Sequence, residues 1–95
     1  LYTVTSGKTL FITDLSVFIE NDNTGSPGRV DFEDGTSAGS TLVYGMLAYE
    51  AANSQSAVVP QSTSFSEPLQ FNTGVFVDVI AGTITLTGTL QGYEE

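Results

Sequence analysis

The 95-residue chain has no cysteine, no histidine and no tryptophan, and its only basic side chains are Lys8 and Arg29. Without cysteine there is no disulfide, no thiol chemistry and no cysteine-based metal site. Without histidine the Ser-His-Asp and Cys-His arrangements of nucleophilic catalysis fall away, together with the usual zinc sites. No catalytic residue, cofactor-binding residue or metal ligand is assigned, and the chain is expected not to be an enzyme. Eleven acids against two bases leave a net charge of −9. Nucleic-acid affinity comes from Lys and Arg neutralising phosphate, so no nucleic-acid partner is expected. Docking on an anionic membrane is disfavoured for the same reason. No apolar run approaches the ~20 residues that span a bilayer, and no signal peptide is visible. Because it starts at Leu1 and not at Met, the chain is expected to be a processed product or a piece of a longer polypeptide.

What is present is patterned. Hydrophobic residues make up 40% of the chain and sit in short regular runs, which argues for a folded domain over disorder. The length suits one domain, residues 1–95, with one core. A domain this small is marginally stable alone, so oligomer contacts are expected to contribute.

The stretch Thr5–Thr9 reads TSGKT, and Gly-Lys-Thr is the tail of a phosphate-binding loop. The full motif needs a glycine where Tyr2 stands and a helix after the loop. Instead TLFITDLSVFIEN follows, rich in β-branched and aromatic residues that favour a strand. Without a helix N-terminus there is no dipole end to face a phosphate. Thr5–Thr9 therefore reads as a turn between strands.

Strand signals fill the rest of the chain. Tyr2 to Thr5 and Thr9 to Glu20 read as the first two strands. In the second, apolar alternation at Leu10 and Ile12 slips by one to Leu15, Val17 and Ile19, which predicts a β-bulge near Thr13-Asp14. Phe11 and Phe18 then share the opposite face, which is expected to be partly covered. Asn21 to Gly28 reads as a loop, Arg29 to Phe32 as a strand, Ser37 to Ser40 as a linker and Thr41 to Glu50 as a strand. Ala51 to Ser56 is expected to be loop. Ala57 to Val59 reads as a short strand that Pro60 ends or confines to an edge. Gln61 to Glu67 reads as loop, and Leu69 to Phe71 as another short strand. Val75 to Ile80 and Thr83 to Leu90 flank Ala81-Gly82 and read as a β-hairpin. In the last run Ile84, Leu86 and Leu90 face the core, and Gly88 takes a core-side slot where a neighbour packs closely. The sum is an all-β fold: a single antiparallel β-sandwich of about eight strands, jelly-roll-like.

Three sets of residues are candidates for a site. Glu20, Asp22 and Thr24 before Gly25 have the rhythm of a calcium loop, but the distal bidentate Glu is absent and the flanks are strands. Asp31, Glu33 and Asp34 form a second acidic cluster, read as a solvated face. Tyr2, Tyr44, Tyr49 and Tyr93 are candidates for a sugar-stacking platform or a protein interface, or sit half-buried at sheet ends.

The two ends of the chain carry a resemblance. LYTVTSGKTLFITDLSVFIEN and EPLQFNTGVFVDVIAGTITLTGTLQGYEE resemble the opening and close of small β-sandwich, jelly-roll-like virion structural modules of tailed bacteriophages, such as capsid decoration or tail and fibre proteins. The resemblance implies a non-enzymatic structural protein on the virion surface, an extracellular particle. First among the roles it implies is a capsid decoration (cement) protein that stabilises the shell through protein–protein contacts. Its implied partners are the major capsid protein or neighbouring subunits, in a homo-oligomer with a trimer favoured. It implies no cofactor. The Tyr2 strand and the tail Gly92-Tyr93-Glu94-Glu95 are candidate binding arms. The alternatives are a receptor- or carbohydrate-binding module of a tail fibre or secreted protein, and an extracellular filament subunit that donates its N-terminal strand.

Overall fold

A computed structural model describes residues 2–51 and 57–95. They form seven strands: β1 Tyr2–Thr3, β2 Leu10–Asn21, β3 Gly28–Asp34, β4 Thr41–Ala48, β5 Ala57–Phe71, β6 Gly74–Ala81 and β7 Ile84–Glu94. Every pairing is antiparallel. One sheet has the order β1-β6-β3-β4 and the other β5-β2-β7. Packed face to face, they make a β-sandwich.

β2 is the central strand of the smaller sheet. Its register slips between Ile12 and Asp14 against both neighbours, which is the bulge the alternation predicts. The slip keeps Leu10, Ile12, Leu15, Val17 and Ile19 all buried. β3 is central in the other sheet and sends Val30 and Phe32 into the same core, where Phe71 and Met46 join them. The opposite face of β2 is covered unevenly. Phe11 stacks on Tyr93 with ring centroids 5.3 Å apart, whereas Phe18 is 56% exposed.

Three expectations are corrected. Gln61 to Glu67 is not loop: β5 runs unbroken for 15 residues, joining the two short strands expected on either side of it. That leaves seven strands where about eight were expected. Polar residues mislead here because Gln61 and Thr63 take half-buried positions at the rim, and Gln61 Nε2 donates to Tyr44 Oη at 3.0 Å. Pro60 does not end the strand but lies on an edge, the other outcome expected of it. β5 is an edge strand, where a missing N–H is tolerated.

The third correction concerns topology. β6 and β7 do not form a hairpin; they belong to different sheets. Gly82, at φ +86°, turns the chain across the sandwich. Three Cα steps from Ala81 to Ile84 reach about 10 Å, the spacing of two packed sheets. The crossing is held by Asn21, whose Oδ1 accepts from Thr83 N at 3.1 Å. Of the loop expected over Ala51 to Ser56, residues 52–56 lie outside the described residues.

Candidate functional site

The sequence motifs resolve into structural roles. Thr5 to Lys8 is a turn, with Lys8 N donating to Thr5 O at 3.0 Å and Gly7 at φ +79°. Strand β2 follows it, so no helix end faces that turn.

The acidic loop after β2 is organised by asparagines. Asn21 is fully buried. Its Nδ2 donates to Ser26 O at 3.1 Å and Tyr49 O at 3.0 Å, and its Oδ1 also accepts from Asn23 N at 3.1 Å. One side chain thus joins the β2–β3 loop, the end of β4 and the β6–β7 crossing. Among the described residues, no three His, Cys, Asp or Glu side chains gather to hold a metal ion.

The cluster Asp31, Glu33 and Asp34 is not the solvated face expected of it. Asp31 and Glu33 are 6% and 4% exposed on the outer face of β3. Asp31 pairs with Arg29 at 2.8 Å. Glu33 accepts from Gly39 N and Ser40 N at 3.1 and 3.2 Å. Burial, and then the neighbouring Asp78, push the Glu33 carboxyl above its ordinary value. Asp34 turns the other way and caps the β5–β6 turn, accepting from the backbone N–H of Asn72, Thr73 and Gly74. Burial opposes its charge, but those three donors outweigh burial and hold it below the ordinary value.

The four tyrosines share no platform. Tyr44 packs between the sheets, against Phe32 and edge-on to Phe65. Tyr49 lies past the end of β4, beside Asn21. Tyr2 and Tyr93 lie at the opposite end of β2. Among the described residues, neither the Tyr2 strand nor the tail Gly92-Tyr93-Glu94-Glu95 projects as an arm. β1 pairs with β6, and Thr9 and Glu95 exchange backbone hydrogen bonds at 2.9 and 3.0 Å. Glu94 Oε1 accepts from Tyr2 Oη at 2.6 Å, Thr5 Oγ1 at 3.1 Å and Thr5 N at 3.2 Å. Those donors, Thr5 first, hold Glu94 below its ordinary value, with Lys8 adding to the effect.

Exposed apolar surface lies on both sides of the sandwich, with Leu47 and Tyr49 beside a hollow of about 530 Å³ at the end of β4. On the β4/β5 side the sheets are joined by Tyr44, Phe65 and Gln61. On the β6/β7 side they stand apart. A groove of about 310 Å³ opens there between Val17, Phe32, Val77, Leu86 and Leu90. A second, of about 240 Å³, continues it past Leu90 to Ile12, Val75 and Tyr2. β7 forms the lip of both and is an edge strand. Gly88 to Gly92 are exposed in succession, and no charged residue occurs from Thr83 to Tyr93.

Two of the other edges are blunted, whereas β4 is a second uncharged edge, with Leu42 and Leu47 exposed. β5 carries Pro60 and Pro68, and β1 has two residues. Sequence reading missed this site because it paired β7 with β6. No local signal singled it out, because residues 35–49 and 51–66 are also free of charge. Searches of family models, of curated proteins and of solved structures found no match to the chain.

Proposed function

We propose that the chain is a non-enzymatic structural module that works by protein–protein contact, and specifically a capsid decoration protein of a phage virion. The observation that carries the first part is the open apolar groove beside an uncharged, unprotected edge strand. An edge with free N–H and C=O groups is a template for another strand, and apolar surface rimmed by polar groups marks a protein contact. The virion assignment is supported by the resemblance of the two chain ends. A network of satisfied polar groups suits a particle surface, where loose segments are cut by proteases.

The test is co-sedimentation of the purified chain with capsids of the encoding phage that lack it. Saturable binding in a ratio set by the capsid lattice, with a raised temperature of particle rupture, is expected. Absence of binding would overturn the decoration role. Binding to a glycan array in its place would support the carbohydrate-binding alternative.

A further inference from the structure

We infer that β7 pairs antiparallel with β7 of a second copy, about a two-fold axis through Gly88, and that this pairing closes the lateral grooves of both copies. The inference rests on reading the chain as an assembly module and names its nearest partner.

Three observations support a second copy, and the second of them is specific to it. The first is charge. Two molecules of net charge −9 repel each other, and β7 offers an edge whose residues 83–93 add nothing to that repulsion. In the register centred on Gly88, the acidic Glu94 falls opposite Gly82 of the second copy, so no acid meets an acid. The second is self-complementarity. Residues directly opposite in an antiparallel pair share a face. Leu86 therefore meets Leu90 of the second copy on the inner face, and Ile84 meets Gly92. On the outer face Thr87 meets Thr89. The third is the groove. Leu86 and Leu90 line it, and Leu90 is 36% exposed at the lip. The second copy's leucines cover these two and extend the three-stranded sheet into a six-stranded one. A contact in which a strand meets its own copy is closed by a two-fold axis. It gives a dimer, in place of the trimer the resemblance implies.

The experiment uses the cysteine-free background. Thr87→Cys and Thr89→Cys are made separately, mixed in equal amounts and mildly oxidised, and solution mass is followed by light scattering at low and high salt. We expect a wild-type dimer favoured by salt, and disulfide-linked dimers that form in the mixture well above the level in either variant alone. Leu90→Lys, checked for fold by circular dichroism, is expected to weaken the dimer on the order of tenfold or more; the disulfide test stands if that variant fails to fold. A monomer at every concentration and salt would overturn the inference, and capsid co-sedimentation would still decide the assembly reading independently. A dimer or trimer without the mixed disulfide would overturn it while leaving the assembly reading intact.

Discussion

Asn21 shows how much one side chain carries in a chain of 95 residues. Its side chain is fully buried, and its four hydrogen bonds satisfy partly buried groups from three separate segments. Truncation strands those groups, each at a cost of about 1–3 kcal/mol. We expect Asn21→Ala to lower unfolding free energy by roughly 3 kcal/mol or more in urea titration. A loss below about 1 kcal/mol would mean that water replaces the network. Glu33 works in the opposite sense. Its folded-state pKa is raised, so the protonated form is the one the fold favours, and stability falls as pH rises from the unfolded value through the folded one. Glu33→Gln keeps an acceptor for Gly39 and Ser40 and can donate to Asp78. Its melting temperature should exceed that of wild type at pH 7, and the gap should close in acid. An equal or lower value at pH 7 would exclude the repulsion argued here. Gly88 was legible as a core-side slot, but its reason is a backbone contact: a Cβ there would lie 2.2 Å from Ser16 O. Asn21 was not legible, because an Asn in a turn-rich stretch looks the same whether it faces water or the core.

At the scale of elements, two carboxylates fasten pieces at the ends of strands. Glu94 ties β1 and the following turn to β7, and Asp34 caps the β5–β6 turn. Both are held below their ordinary values of 4.5 and 3.8. Their contribution is therefore complete above those values and is lost as pH falls through the lower folded-state values. Below about pH 4 the backbone amides of Thr5 and Thr73 should exchange with solvent faster than core amides do, as read by hydrogen exchange. Glu94→Gln should abolish the acid response at Thr5 and spare that at Thr73. Simultaneous loss at both sites in the variant would instead indicate global unfolding. Most strands were legible at this scale, since the period-two pattern and the slip at Thr13-Asp14 are local. β5 was the exception. Its polar middle is a strand because it lies on an edge and rim, where a half-exposed Ser/Thr/Gln alternation costs little.

For the whole molecule, charge and shape act together. Eleven acids on a body 48 × 25 × 17 Å repel one another at low ionic strength. Added salt should raise the melting temperature and, through the uncharged β7 edge, strengthen self-association. Salt that stabilises the fold but dissociates the oligomer would point to an ion-paired interface and away from β7. The candidate site belongs to this scale. Its parts, a charge-free strand and a few leucines, were visible in the chain. Their assembly into a groove was not.

The order of residues by itself determined the all-β class, the bulge in β2 and the lack of histidine and cysteine chemistry, because each follows from composition or from periodicity over a few positions. Only the tertiary structure decided which strands are neighbours. An alternating strand after a tight Gly link can fold back in the same sheet or cross to the other one, since both choices bury the same face. Here Gly82 and the fully buried Asn21 send β7 across the core. That choice leaves β7 at an edge and opens the groove from which the function is argued.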